Sequence, residues 1–147
     1  MSIGFAGWAR AGFAYKNAAS LTDSFTAHAC TEDTTNSAQS SSFPRTCNVQ
    51  SVELELSSIA GGATSVTLFL ARDSGGDVGV TPGSTSGATQ TIQVGATTAT
   101  DGTTVFSIDS DIHFDSGVAN ATAGTLYAVA KLNAGTATAN IRVNWRG

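Results

Sequence analysis

The stretch that decides the fold is Val52–Asp77, VELELSSIAGGATSVTLFLARDSGGD. Val52, Leu54 and Leu56 fall on one side of an extended chain, and Glu53, Glu55 and Ser57 on the other. That period of two is the mark of a strand with one wet face. Ala60-Gly61-Gly62 breaks the run, because glycine supplies the positive φ that a reversal requires. The pattern resumes as Val66, Leu68 and Leu70 against Thr67, Phe69 and Ala71. Both faces of this second strand are apolar, so it is expected to be central and covered on both sides. The pair is expected to lie side by side, antiparallel, at the heart of a β-sandwich. Asp73 to Asp77 ends it.

Outward from this centre the same grammar repeats. Leu126, Ala128, Ala130 and Leu132 alternate with Tyr127, Val129 and Lys131. Asn133-Ala-Gly135 reverses the chain, and Ile141, Val143 and Trp145 then alternate with Asn140, Arg142, Asn144 and Arg146. This reads as a closing hairpin. Its register is pinned, since a one-residue slip would bury Arg142 and expose Ile141 and Val143. Between the two pairs, Thr89–Val94 and Thr103–Ile108 read as short strands, the latter with Val105, Phe106 and Ile108 as core candidates. Gly95–Gly102 reads as a turn and Asp109–Gly117 as an acidic loop. With about seven or eight strands and no helical period, the fold class is all-β: a single sandwich, jelly-roll or immunoglobulin-like.

The first 48 residues differ from the rest. Phe5, Trp8, Phe13, Tyr15 and Phe25 crowd into residues 1–28 without a sustained period. They suit either an extended N-terminal arm packing on another surface, or a first strand and loop. Asn17–Ser20 reads as a turn. The domain organisation expected is an arm and polar loop over 1–48 and the sandwich over 49–147. Cys30 and Cys47 bracket the polar loop. They can close it as a disulfide, worth roughly 3 kcal/mol by loop entropy, or stand as free buried thiols, as suits a cytoplasm.

Composition narrows the function classes. Only 12% of the 147 residues are charged and the net charge is −4, about half the usual 25% share of charge. The 7 basic residues are scattered, which argues against a nucleic-acid partner. No apolar run is long enough for a membrane-spanning helix. Residues 1–25 do not form a secretory signal, because Arg10 and Lys16 interrupt the apolar core such a signal needs.

Catalytic and metal constellations are weak. His28, Glu32 and Asp33 near the cysteines lack the close ligand pairs of a zinc site. Asp73 and Asp77, and Asp109, Asp111 and Asp115, offer oxygens to calcium but match no EF-hand loop. Asp109 and Asp111 fall on one face of a strand. His113 has no companion Ser or paired Glu to make it a general base. No cofactor, metal or enzymatic activity is expected. Trp8, Tyr15 and Trp145 could stack on sugar rings if exposed, but alternation places Trp145 inward.

The phrase SVTLFLARDSGGD, with the closing GTLYAVAKLNAGTATANIRVNWRG, resembles small β-sandwich structural proteins of tailed bacteriophages. The matching residues are Leu68, Leu70, Ala71, Arg72, Asp73, Gly76 and Asp77, then Leu126, Tyr127, Lys131, Leu132, Ala134, Gly135, Thr136, Thr138, Arg142, Trp145 and Arg146. The resemblance covers roughly residues 52–147. It implies a virion protein of the capsid decoration, or cement, type, with the major capsid protein as partner. It further implies a homo-oligomer, a trimer being common, located on the virion surface and made in the host cytoplasm. Neither nucleic acid nor membrane is an implied partner. On that reading Phe5, Trp8, Arg10, Phe13 and Tyr15 are the candidate capsid-contact residues. The alternative is a glycan- or host-binding module of a tail or fibre.

Overall fold

A computed structural model describes residues 11–32, 46–71, 91–113 and 125–147. The described residues form eight strands: β1 (Ala11–Leu21), β2 (Thr26–Ala29), β3 (Thr46–Ala60), β4 (Ser65–Ala71), β5 (Thr91–Thr98), β6 (Gly102–His113), β7 (Tyr127–Leu132) and β8 (Thr136–Arg146). They make two antiparallel four-stranded sheets. The first has the order β1-β8-β3-β6 and the second β2-β7-β4-β5. The pairs β1–β8, β2–β7, β3–β6 and β4–β5 nest inside one another along the chain. Eight strands in this order are the double Greek key of a jelly roll, which settles the choice between the two sandwiches expected. Among the described residues no helix is long and apolar enough to cross a membrane.

The core lies between the sheets. Val52, Leu54, Leu56, Ile141, Val143 and Trp145 enter it from the first sheet, and Val66, Leu68, Leu70, Ala128, Ala130 and Leu132 from the second. The alternation read from the sequence is therefore real: Arg142 faces out, and Trp145 faces in at 8% exposure. β4 is central, as its two apolar faces require. Its outward Phe69 and Ala71 are buried with Val129 in a second cluster. There Phe25 meets Phe69 edge-on at 5.4 Å between ring centres, a contact worth about 1 kcal/mol beyond its area.

Two expected pairings are corrected. β3 and β4 are not side by side; they belong to opposite sheets, and Ala60–Thr64 carries the chain across the sandwich. β7 and β8 are likewise split, with Asn133–Gly135 as the crossing. Each is an arch whose strands face each other through the core. The two arches stack. Ala60 pairs with Thr136, and Gly61 and Gly135 adopt φ of 72° and 71°. Asn133 Oδ1 accepts from the Thr64 and Ser65 amides at 2.9 and 3.0 Å, and its Nδ2 donates to Thr64 Oγ1 at 2.9 Å.

The boundary expected at residue 49 moves as well. β1 is an edge strand of the first sheet, with Ala11 opposite Arg146 and Leu21 opposite Ala137. β2 pairs with β7 in the second sheet. The sandwich thus already includes residues 11–32, and Phe5, Trp8 and Arg10 lie outside the described residues. Asn17–Ser20 is a bulge inside β1 rather than a turn: the register shifts between Lys16 and Ala19, and Ala18 takes φ of 52°. β5 continues through Gly95, and β6 runs on through Asp109 and Asp111. Val105 is 59% exposed instead of buried, while Phe106 and Ile108 pack against the core.

Candidate functional site

The outer face of the first sheet carries a polar network assembled from alternate residues of β3 and β8. Glu53 stands opposite Arg142, Glu55 opposite Asn140 and Ser51 opposite Asn144. Directly opposed side chains of opposite charge or hydrogen-bonding complement are the stabilising pairs of a sheet. Asn144 Nδ2 donates to Ser51 Oγ at 3.0 Å and Glu53 Oε2 at 2.9 Å. Asn140 Nδ2 donates to Glu55 Oε1 at 2.8 Å, and its Oδ1 accepts from the Ala18 amide at 2.9 Å. The bulge residue of β1 is thereby tied to β8.

At one end of this face lies a shallow cleft of about 550 Å³ lined by Ala11, Gly12, Phe13, Gln50, Arg142, Asn144, Trp145 and Arg146. Each wall has a local cause. Phe13 sits opposite Asn144 on the adjacent strand. Gln50 is the extra residue of a β3 bulge between Val49 and Ser51, a device that re-aims a side chain near the rim of a sheet. Gln50 accepts from Arg146 Nη2 at 3.1 Å and donates to Asn48 Oδ1. Gly12 leaves room for the Trp145 indole, whose Cζ2 lies 2.5 Å from where a Cβ would stand.

Arg142 is the most constrained charge in the cleft. Its guanidinium carbon lies 4.1 Å from the Phe13 ring centre. Its Nε donates to Asn144 Oδ1 at 3.0 Å and stands 3.6 Å from Glu53 Oε2. A cation stacked on an exposed ring gains about 0.5–1 kcal/mol. A guanidinium so held keeps a planar donor fork suited to a carboxylate.

Tyr15, the other described contact candidate, lies opposite Arg142 on β1. Its phenol is pushed above the usual range, first by burial and then by Glu55, with Arg142 opposing. Its backbone exchanges hydrogen bonds with Glu32 at 3.1 and 2.9 Å. The Glu32 carboxylate reaches Lys16 Nζ at 3.3 Å and accepts from the Asn17 amide at 2.7 Å. Phe13 and Tyr15 are therefore on one outer face, beside two arginines that sequence reading placed on a different hairpin. The missed residues, Gln50, Arg142, Asn144 and Arg146, become neighbours of Phe13 only because the first and last strands pair. The visible signal was the N-x-R-x-N-x-R alternation of residues 140–146.

The remaining candidates separate. Cys30 and Cys47 are free, buried thiols, so the disulfide alternative is not the one adopted. Burial pushes Cys30 up to about 12 and, with the Asp111 charge, Cys47 to about 11. Asp109 and Asp111 do share a face, and both accept from Asn48 Nδ2, at 2.8 and 2.9 Å. Among the described residues no group of three or more His, Cys, Asp or Glu side chains is placed to hold a metal. Asp73, Asp77 and Asp115 lie outside the described residues. No protein-family model and no curated protein matches this chain.

Proposed function

We propose that this protein is a structural virion protein, a decoration or cement protein that binds the outer surface of a tailed-phage head and bridges major capsid subunits. The observation that carries the reading is where the residues of the phage-like motifs fall in the fold. Leu68, Leu70, Leu126, Leu132 and Trp145 are buried between the sheets, and Gly135 forms an arch. Arg142 and Arg146 stand beside Phe13 on the outer face. The resemblance thus runs through the framework of a jelly roll and one patch of its surface. Phe13 and Tyr15, with Phe5, Trp8 and Arg10, are the contact residues on this reading, and a homo-oligomer such as a trimer multiplies their effect. Each contact is modest, and the lattice of symmetry-related copies supplies the strength. Free thiols agree with folding in a reducing host cytoplasm.

The test is co-sedimentation with undecorated phage shells, quantified as copies per particle. Saturation at on the order of hundreds of copies is expected for a lattice-wide partner. Binding limited to a vertex-sized handful, or none, overturns it.

One observation favours a second reading, a glycan-binding module of a tail or fibre. The cleft sets Phe13 and Trp145 beside the amides of Gln50 and Asn144, a mix of apolar wall and few polar groups that suits a small ligand. Retention on a polysaccharide column, lost on Phe13→Ala, would support it.

A further inference from the structure

We propose that Asp101–Gly102, at the crossing from β5 to β6, is a site of spontaneous covalent modification, where the folded protein converts Asp101 to isoaspartate through a succinimide. The chemistry uses water alone and is independent of what the protein binds.

Asp101 is the one Asp in the chain that is followed by Gly, and no Asn is followed by Gly. Ring closure brings the backbone nitrogen of the next residue onto the Asp carboxyl carbon, and a side chain on that residue crowds the approach. Glycine has no side chain and lets the backbone bend as closure requires. The surroundings of this pair favour the same step. β5 ends at Thr98 in one sheet, and β6 begins at Gly102 in the other. Between them Ala99 is anchored: it is buried, and its amide donates to the Thr64 carbonyl at 2.9 Å. Asp101 and Gly102, beyond the anchor, are both exposed. Gly102 takes φ of 118°, and nothing lies within 4 Å of where its Cβ would stand. It faces Leu56 in the end pair of the β3–β6 ladder, where a sheet opens most readily.

The other described aspartates are held back. Asp23 precedes Ser24, whose amide already donates to Thr22 Oγ1 at 3.2 Å. Asp109 and Asp111 lie within β6, and their carboxylates accept from Asn48 Nδ2 at 2.8 and 2.9 Å. Among the described residues none bonds the Asp101 carboxylate. In the reaction, Gly102 N attacks Cγ of the Asp101 carboxylic acid. A C–N bond forms, and the amide proton leaves with the carboxyl hydroxyl as water. Water then reopens the ring. Where it adds to the main-chain carbonyl carbon of Asp101, the bond from that carbon to Gly102 N breaks, and nitrogen takes the proton. The chain thereafter runs through Cβ and Cγ, with the carboxylate on Cα. Water lost equals water regained, so mass and charge are unchanged. The added methylene falls between the Ala99 anchor and the β6 ladder, at exposed positions, so the core is left as it was.

The experiment ages the native protein at neutral pH and body temperature and follows isoaspartate at each Asp by electron-transfer mass spectrometry, with circular dichroism to show that the sample stays folded. A urea-unfolded sample and the Asp101→Asn variant are aged beside it. The expected result is steady accumulation at Asp101, several-fold faster than at Asp23, Asp109 or Asp111, in protein that remains folded. Asp101→Asn should pass through the same ring faster, with loss of ammonia in place of water. If the native protein accumulates no more isoaspartate at Asp101 than at the other three, while the unfolded sample does, the folded crossing blocks closure and the inference is overturned. A native Asp101→Asn variant that keeps its ammonia overturns it equally.

Discussion

Gly135 shows how one residue can hold a fold in place. Its φ is +71°, and a Cβ there would run into the Ala60 carbonyl oxygen and approach the Gly61 carbonyl carbon to 2.8 Å. Gly62 has a similar φ of +84° but open space around it. Gly135→Ala should therefore destabilise by about 3 kcal/mol or more, combining backbone strain with collision. Gly62→Ala should lose only about 1 kcal/mol, the strain alone. Urea midpoints of the two variants test the difference; equal losses would mean that the arches do not touch. The thiols make a second residue-scale prediction. With Cys30 and Cys47 pushed to about 12 and 11, both are protonated and buried at pH 8. Native protein should leave a thiol reagent unconsumed, while unfolded protein should consume two equivalents. No reaction after unfolding would reveal a disulfide. His28 supplies a third. Burial first, then Lys16, holds its pKa below 6.5; Thr26 Oγ1 lies 2.9 Å from Nε2. The unfolded chain takes up this proton more readily, so stability falls as pH drops below about 6.5 towards the lowered native value. His28→Gln should flatten that part of the stability profile, and an unchanged slope would exonerate His28. At this scale much was legible: alternation gave the inward Trp145 and outward Arg142. Val105 was misplaced because VFSI presents apolar residues on both faces, and period alone does not say which of them meets the core.

Among the elements, alternation proved a reliable guide to burial and a poor guide to partnership. Val52, Leu54 and Leu56 face Val66, Leu68 and Leu70 across the sandwich, and the same pattern would serve two strands bonded edge to edge. A short Gly-containing connection fits either arrangement. What decides is the arch itself, where Asn133 ties the β7–β8 connection to the β3–β4 connection through both Thr64 and Ser65. Asn133→Ala removes these side-chain bonds and should lower stability by about 1–2 kcal/mol. Hydrogen exchange should quicken selectively at the Thr64 and Ser65 amides. Uniform loosening of the whole molecule would argue that the arches are not a local unit. The bulges escaped sequence reading for a related reason. Ala18 and Ser58 hold φ of 52° without being glycine, so no residue type announced them. Asn140, distant in sequence, secures the first by accepting from the Ala18 amide. The cleft was hidden by the same distance, since Gln50 and Arg142 reach Phe13 only after three strands have been aligned.

For the whole molecule, nesting makes the two ends of the sandwich depend on each other. β1 covers one edge of β8 from Ala11–Arg146 to Leu21–Ala137, and β3 covers the other. Ala14, Ala19 and Leu21 of β1 are fully or nearly buried, so β1 is a wall of the core and not an appendage. This converts the arm expectation into a sharper one. Deletion of residues 2–10 leaves all eight described strands intact, and its urea transition reports whether that variant folds. Deletion of 2–16 also removes Gly12 and Ala14, leaves the Trp145–Ile141 half of β8 as a bare edge, and uncovers core that β1 had closed. It should shift the urea midpoint down sharply or abolish the transition, because few marginally stable domains survive the loss of several kcal/mol. On the proposed decoration reading, a shell-binding assay then separates the two contributions to contact. If the 2–10 deletion is folded and binds as wild type, the contact lies in Phe13, Tyr15 and the arginines beside them. If it is folded and no longer binds, Phe5, Trp8 and Arg10 carry the contact. A folded, cooperative 2–16 deletion would contradict the pairing of the first and last strands, and with it the jelly-roll order itself.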